Sequence, residues 1–305
     1  MVDLHLHLDG SLRPSTILEL AKEQGIVFPE NVKFAVSDNC DSLVEYLKCF
    51  DWPLLVLQKE YAIERVVYEL VEDLECAGVD YAEIRFAPQL STKEGLTQTE
   101  VIEAAIRGLN RALSIFKGID AKLILCCMRG DDNEEANIET VELAKRFLGK
   151  GVVAIDLAGA ESLFSTDKFN AVFAKAKLHG IPFTIHAGEA AGPESIKKAI
   201  EFGATRIGHG IRAIESNEVI RLLKEKNITL EVCVSSNVQT KACKSLKEHP
   251  IRALFDEGVR VTYNTDNMTV SNTTLLKERN ILKTEFGFNE NELSLMEKYS
   301  YDARF

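Results

Sequence analysis

The sequence lacks the features that mark several functional classes. It has no cluster of lysine and arginine residues, and its formal net charge is −11 over 305 residues. A chain this acidic is poorly suited to bind nucleic acid or an anionic membrane surface, so we expect neither partner. No apolar run reaches the length of a transmembrane helix. These absences favour a small neutral or cationic molecule as the binding partner, and they leave the oligomeric state open.

Cysteine is present but shows no functional spacing. The seven cysteines are an odd number and include no C-x-x-C pair. Cys126 and Cys127 stand side by side in an apolar run, where packing in the core is the expected role. Met1 is followed almost at once by candidate functional residues, which leaves no room for a removable targeting segment. Together these features predict a reducing, cytoplasmic setting.

Short apolar segments alternate with amphipathic segments along almost the whole chain. Hydrophobic residues make up 46% of it, which allows a sizeable core. The amphipathic segment Pro14–Gln24 opens with proline and ends before Gly25, as helices often do. The predicted strands are Val2–Leu8, Tyr81–Phe86, Leu123–Met128, Val152–Leu157, Phe183–His186, Arg206–Gly208, Thr229–Val232 and Val261–Asn264.

Eight strands that alternate with helices predict a closed, parallel (β/α)8 barrel of the TIM type, formed by residues 1–305 as one domain. A doubly wound open sheet would show the same alternation. The barrel is favoured because the polar motifs follow the carboxyl ends of strands, where such barrels place their active sites. One long interruption, residues 27–61, is predicted to be a helical insertion after the first strand.

The insertion contains an apolar helical face. Its residues are spaced i, i+3, i+4 and i+7, and they are Leu43, Tyr46, Leu47 and Phe50. Such a face either packs against the barrel in the ordinary way or forms an apolar lid over the site.

Histidine is scarce, yet four of the six histidines fall near the ends of predicted strands. His5 and His7 stand two residues apart in the first strand, so their side chains project to the same side and can share one cation. His186 would add a third imidazole, and Asp266 in NTDN would add a carboxylate. Neutral imidazoles with one carboxylate are typical of a hydrolytic metal centre. An ordinary edge strand and a turn-capping aspartate are the structural alternatives.

Two further residues have the chemistry of a catalytic site. Glu189 in HAGE would face the pocket as a general acid or base, unless it is a solvated turn carboxylate. The glycines that flank His209 in GHG let the backbone approach a ligand. This fourth histidine either holds the nucleophilic water or is a hydrogen-bonded core residue. His179 and His249 lie near helix boundaries, and we expect them at the surface or in caps.

These motifs, taken in order, resemble the adenosine deaminase family within the amidohydrolase-type barrels. The matching strings run from residue 3 to residue 267 and are DLHLHLDGSLRP, EIRFAP, LCCMR, AIDLAG, HAGEAAGP, RIGHGI, LEVCVSSNVQT and NTDN. The resemblance implies a (β/α)8 barrel with one zinc ion per chain. It also implies hydrolytic deamination of adenosine or 2′-deoxyadenosine to inosine or deoxyinosine and ammonia, as part of purine salvage.

The resemblance further implies a role for each site residue. Glu189 would donate a proton to purine N1, while His209 and Asp266 would orient the attacking hydroxide. The implied zinc ligands are His5, His7, His186 and Asp266. The implied substrate contacts are His7, Asp9 at the ribose 5′-hydroxyl, Gly159 at purine N3, Asn267 at purine N7, and the apolar gate of Leu43, Tyr46, Leu47 and Phe50.

One departure from the family pattern concerns the base. Asn267 stands where many relatives carry a second aspartate, and an amide can donate to N7 but cannot carry charge. Adenine and AMP are the alternative substrates, although Asp9 would repel a 5′-phosphate. A zinc barrel that binds nucleosides without turning them over is the other alternative.

Overall fold

The computed structural model describes residues 1–37, 40 and 42–305. Within this part of the chain, eight parallel strands are hydrogen-bonded in chain order as two four-stranded sheets. The first sheet consists of β1 Val2–His7, β2 Tyr81–Phe86, β3 Asp120–Met128 and β4 Val152–Ala158. The second consists of β5 Thr184–Ala187, β6 Arg206–His209, β7 Thr229–Val232 and β8 Arg260–Tyr263.

Backbone contacts close the two sheets into a barrel. Ile155 of β4 bridges Phe183, which directly precedes β5. At the opposite seam the His7 N–H donates to the Asp266 carbonyl at 2.7 Å, and the Asp266 N–H donates to the His5 carbonyl at 2.8 Å. The predicted (β/α)8 barrel is therefore confirmed, and the open doubly wound sheet is excluded.

Helices cover the outside of the barrel, and α1 begins and ends where the sequence predicts it. Helix α1 ends at Gly25, whose φ of 70° lies in the left-handed region that suits glycine. No helix among the described residues is long and apolar enough to cross a lipid bilayer. The α-helices are α1 Pro14–Gln24, α2 Leu43–Leu47, α3 Asp51–Val56, α4 Glu60–Cys76, α5 Gln98–Ile115, α6 Glu134–Phe147, α7 Asn170–Leu178, α8 Pro193–Phe202, α9 Asn217–Glu225, α10 Val234–Gln239, α11 Ile251–Asp256, α12 Leu275–Phe286 and α13 Glu290–Asp302.

Within the predicted insertion at 27–61, the helices begin only at Leu43, and the described residues before it are not helical. Helix α2 is tied to the loop after β8. The Tyr46 hydroxyl lies 2.6 Å from the Ser271 hydroxyl, and the Asn267 Nδ2 donates to the Tyr46 oxygen at 2.9 Å. Residues 38, 39 and 41 of the predicted insertion lie outside the described residues. These contacts place the apolar face of α2 across the mouth of the barrel, which favours the lid.

The interior of the barrel contains a network of buried ion pairs. Arg85 donates to Asp156 at 2.9 Å and to Glu231 at 2.8 Å. Glu231 also accepts from Arg206 at 2.7 Å, and Arg206 is paired with Glu83 at 2.6 Å. Since a buried charge is costly unless it is paired, this network constrains every side chain that contacts it.

Glu161 holds the loop that follows β5. Its carboxylate accepts hydrogen bonds from the backbone N–H groups of residues 188–191 at 2.7 to 3.0 Å, and it also accepts from the Ser195 hydroxyl. Glu161 is itself buried. Because the loop carries Glu189, the position of that residue depends on Glu161.

We expect Glu161→Gln to lower the free energy of unfolding by about 1–3 kcal/mol, because a buried backbone donor would lose its acceptor. Denaturant unfolding followed by circular dichroism would measure the change. Glu201→Gln, at an exposed position of α8, is the matched control and should have little effect. Equal stabilities of the two variants would exclude an anchoring role for Glu161.

Candidate active site

A cavity of about 200 Å³ lies at the carboxyl ends of the strands, beneath α2. All but one of the predicted site residues line it. These residues are His7, Asp9, Leu43, Tyr46, Leu47, Phe50, Gly159, His186, Glu189, His209, Asp266 and Asn267. The exception, His5, is fully buried beside the cavity. The structure therefore brings together all of the predicted site residues.

His5 is held in one tautomer by a carboxylate below it. Its Nδ1 lies 2.8 Å from the Glu231 Oε2. Burial opposes ionisation of Glu231, but Arg85 and Arg206 hold the pKa of this carboxyl well below its usual range. An ionised carboxylate only accepts hydrogen bonds, so Nδ1 carries the hydrogen and Nε2 presents a lone pair. Burial also lowers the pKa of His5 to about 4, which keeps the imidazole neutral at physiological pH.

His186 is oriented in the same way. Its Nδ1 lies 2.9 Å from the Asp156 Oδ2. Burial opposes ionisation of Asp156, but His186 and Arg85 hold its pKa well below the usual range. This carboxylate favours a hydrogen on the His186 Nδ1, although the contact is an ion-pair distance without hydrogen-bond geometry. The His186 Nε2 lies 3.2 Å from the Nε2 of His7. His7 either donates a hydrogen bond there or faces a common cation with His186.

Asp266 completes the cluster from the far side of the seam. Its Oδ1 lies 3.5 Å from the Nε2 atoms of both His5 and His7. Its Oδ2 accepts a hydrogen bond from the Ser236 hydroxyl at 2.5 Å. Ser236 belongs to the string SSNVQT, in which nothing marks it as a partner of an aspartate. One oxygen of Asp266 is thus fixed by the protein, and the other faces the imidazoles.

A metal ion fits these residues. The Nε2 of His5 is buried and has no hydrogen-bond partner within the described part of the chain. Neutral imidazoles with an ionised carboxylate form the donor set that divalent transition metals prefer. Ligand atoms of His5, His186, His209 and Asp266 all lie within 4.8 Å of one another. Distance alone therefore does not decide whether His7 or His209 is the fourth ligand.

The backbone of the site is strained at two of these positions. His209 and Asp266 both have a φ of 59°, in the left-handed region that non-glycine residues rarely adopt. Gly208 makes room for the cluster, because a Cβ there would lie 3.0 Å from the His5 ring and 3.2 Å from the His186 Cα. Gly208, the first glycine of GHG, therefore leaves the space that His5 and His186 occupy.

Glu189 is buried, so the alternative of a solvated turn carboxylate is wrong. Its Oε1 accepts a hydrogen bond from the Thr240 hydroxyl at 2.9 Å, and its Oε2 lies 3.6 Å from the His209 Nε2. Burial raises the pKa of Glu189, and the attraction of His209 offsets only part of this increase. The side chain therefore keeps its proton to a higher pH than an ordinary glutamic acid.

Two side-chain oxygens of cavity-lining residues lack hydrogen-bond partners among the described residues. They are the Oδ1 atoms of Asp9 and Asn267, both buried. Burial raises the pKa of Asp9 to about 7. Gly159 has a φ of 105°, which suits only glycine. Because buried polar atoms are normally hydrogen-bonded, these two oxygens indicate contacts with a ligand.

His249 is not at the surface, but the capping expectation is confirmed, because it is the C-cap residue of a 3-10 turn at 246–248 and its Nδ1 accepts from the Ile251 N–H at the start of α11. This residue is 4% exposed, and its Nε2 lies 3.2 Å from the Asn237 Oδ1. His179 caps α7 and contacts Glu142 at 3.2 Å, as expected of a capping residue. Cys126, expected to pack in the core, also borders the cavity. Further residues line the cavity without having stood out in the sequence, and these are Asp51, Leu54, Ala87, Leu90, Met128, Ala158 and Thr240.

Comparison with known proteins gives matches along the whole chain. The family model described as adenosine deaminase matches residues 1–305. An adenosine deaminase of Haemophilus ducreyi is 48% identical, and the alignment covers 100% of this chain and 91% of that protein.

Solved structures give the same fold. The adenine deaminase from Arthrobacter aurescens has a TM-score of 0.90 at 26% identity, covering 100% of this chain and 93% of that one. The N6-mAMP deaminase from Arabidopsis has a TM-score of 0.89 at 31% identity, covering 99% and 92%. Since both the sequence match and the barrel extend over the full length, the protein belongs to the adenosine deaminase family and is a hydrolytic enzyme of that family.

Proposed function

We propose that this protein hydrolyses adenosine, and 2′-deoxyadenosine, at purine C6 to give inosine or deoxyinosine and ammonia in purine salvage. The observation that carries the proposal is a buried glutamic acid with a raised pKa, Glu189, in the same cavity as the histidine–aspartate cluster. One water molecule is consumed, and the C6–N bond breaks as the amino group leaves with the added protons. All seven cysteines are free, which favours a reducing, cytoplasmic location.

The cluster would hold one zinc ion per chain through His5, His7, His186 and Asp266. When bound, zinc lowers the pKa of a water molecule so that it can act as a nucleophile near neutral pH. The paired carboxylates beneath His5 and His186 keep their Nε2 lone pairs directed at this position. Such partners fix the orientation and basicity of metal-binding histidines.

Glu189 is the proposed proton donor. Its Oε1 is occupied by the Thr240 hydroxyl, which leaves Oε2 to carry the proton. Transfer of this proton to purine N1 withdraws electron density from C6 and prepares that carbon for attack. His209 and Asp266 present ligand atoms within 4.8 Å of each other and would orient the attacking oxygen.

The rest of the cavity would bind and enclose the nucleoside. Asn267 would contact purine N7 through its Nδ2, the donor that points to the Tyr46 oxygen in this structure, because N7 only accepts. Gly159 would contact N3 through its backbone, and Asp9 would accept a hydrogen bond from the ribose 5′-hydroxyl. The residues of the apolar lid, Leu43, Tyr46, Leu47 and Phe50, would exclude bulk water, which strengthens the electrostatic interactions inside.

Adenine is the second candidate substrate, because a solved structure similar to this one is an adenine deaminase. The unpartnered oxygen of Asp9 favours the nucleoside, since free adenine would leave this buried acceptor without a donor. An ionised Asp9 would also repel the 5′-phosphate of AMP.

The first prediction from the proposed function concerns the proton donor. Glu189→Gln should lower kcat for adenosine by roughly 10²–10⁴-fold, the usual contribution of a general acid. The KM and the metal content should change little, because the amide has the same shape. The absorbance change from adenosine to inosine would measure the rate. Glu194→Gln, an exposed position on α8, is the control, and a Glu189→Gln rate close to wild type would refute the role.

A second prediction concerns the ligands. Purified wild-type protein should contain one zinc ion per chain, and His7→Ala should lose most of it because a three-ligand remnant binds more weakly. Elemental analysis by mass spectrometry would measure the stoichiometry. His179→Ala, which removes a histidine far from the cluster, should keep full occupancy. Full occupancy in His7→Ala as well would remove His7 from the ligand set.

A third prediction concerns substrate choice. Adenosine should exceed adenine and AMP in kcat/KM by roughly 10²-fold or more, because either alternative leaves Asp9 unpaired or repelled. The three substrates should be compared by ammonia release on one protein preparation. Comparable turnover of adenine or AMP would contradict the assignment of Asp9 to the ribose.

A further inference from the structure

Three buried side chains lead away from the cavity in a line, from His209 through Asn237 to His249. None of them is more than 4% exposed. The Asn237 Nδ2 lies 3.0 Å from the His209 Nδ1, and the Asn237 Oδ1 lies 3.2 Å from the His249 Nε2. Of these three residues, only His209 lines the cavity.

A single backbone group fixes the direction of these hydrogen bonds. The Ile251 N–H lies 3.2 Å from the His249 Nδ1. A backbone N–H only donates, so this ring nitrogen accepts and carries no hydrogen. Burial lowers the pKa of His249 to about 3, and the ring is therefore neutral. Its one hydrogen must lie on Nε2.

The position of this hydrogen then determines the donor and acceptor in the other two hydrogen bonds. The His249 Nε2–H donates to Asn237, so the amide oxygen must face His249 and the amide nitrogen must face His209. An amide nitrogen only donates, and the His209 Nδ1 must therefore accept. The hydrogen of a neutral His209 then lies on Nε2, the ring nitrogen that lies 3.6 Å from the Glu189 Oε2.

We propose that Asn237 and His249 are positioning residues that hold His209 in its Nε2–H tautomer. In this form the Nε2 has no lone pair and donates a hydrogen bond into the cavity. His209 is then excluded from binding a metal through Nε2, even though it lies as close to the cluster as a ligand would. The catalytic part of this inference rests on the proposed function, in which His209 orients the attacking oxygen; the tautomer itself does not.

The experiment is the isosteric substitution Asn237→Asp. A carboxylate accepts on both oxygens, so it should draw the hydrogen of His209 to Nδ1 and leave Nε2 bare. Changes that impose the wrong histidine tautomer cost about 10⁴-fold in kcat in a well-studied hydrolase. We expect a loss of roughly 10²–10⁴-fold in kcat, with KM and zinc content close to wild type.

The tautomer itself should be read directly. Two-bond ¹H–¹⁵N correlation spectra of histidine-labelled, zinc-loaded protein show which ring nitrogen carries the hydrogen. Wild-type His209 should appear as the Nε2–H form, and Asn237→Asp should convert it to the Nδ1–H form. Asn110→Asp adds the same charge at an exposed position of α5 and should alter neither the spectrum nor kcat.

Two substitutions of His249 provide an independent test in case the Asn237→Asp variant folds poorly. In His249→Gln the side chain can still donate to Asn237, so most of the activity and the Nε2–H signal should remain. His249→Leu removes that donor and should reduce kcat and mix the tautomers. An Nε2–H signal that persists in both Asn237→Asp and His249→Leu would overturn the proposal. Because the spectra do not depend on turnover, they would still assign the tautomer if wild-type protein failed to deaminate adenosine.

Discussion

The candidate metal site depends on one buried guanidinium. Arg85 lies between the carboxylates of Asp156 and Glu231, and each carboxylate contacts the Nδ1 of one histidine. Without Arg85, two buried carboxylates would lose a counter-ion, and their pKa values would rise toward protonation. A protonated carboxyl would no longer specify which nitrogen of His5 or His186 carries the hydrogen. The planar fork of arginine reaches both carboxylates at once, which the single ammonium of lysine cannot do with the same geometry.

Neighbouring histidines in this cluster are thus assigned opposite tautomers by the chemistry of their partners. Ionised carboxylates place the hydrogens of His5 and His186 on Nδ1, so their Nε2 atoms are free to bind a cation. In our proposal the neutral amide of Asn237 leaves the hydrogen of His209 on Nε2, so that residue donates. Three imidazoles whose ring centroids lie 4.5–5.1 Å apart therefore differ in function because of the side chains that contact their Nδ1 atoms.

Much of this could be predicted from the sequence, because strand ends in a parallel barrel meet on one face. His186, His209 and Asp266 were identifiable by this position alone, and the family resemblance added Asp9 and Asn267. The predicted strand bounds differ from the observed ones by up to three residues, since apolar patterns do not mark where pairing stops.

The supporting residues could not be predicted in this way. Glu161 and Thr240 act on Glu189 from other parts of the chain, and neither lies in a periodic pattern. His249 stands between a glutamate and a proline, a context typical of a surface turn, and only the folded chain shows that it is buried beside Asn237. Local sequence patterns depend on residues that are adjacent in the chain. The roles of these supporting residues depend instead on contacts with residues that are distant in the chain.

The site also lies across both seams of the barrel, where the two four-stranded sheets meet. At one seam His5 and His7 face Asp266, and at the other Asp156 contacts His186. A cation bound by these side chains would link the first four-stranded sheet to the second. A ligand that binds only the folded state raises the free energy of unfolding. Once the free ligand concentration exceeds the dissociation constant, this increase grows with the logarithm of their ratio. The free metal concentration in the cell would then affect how well the folded chain resists heat and proteolysis. A shortage of metal would shorten the lifetime of the protein in addition to abolishing its activity.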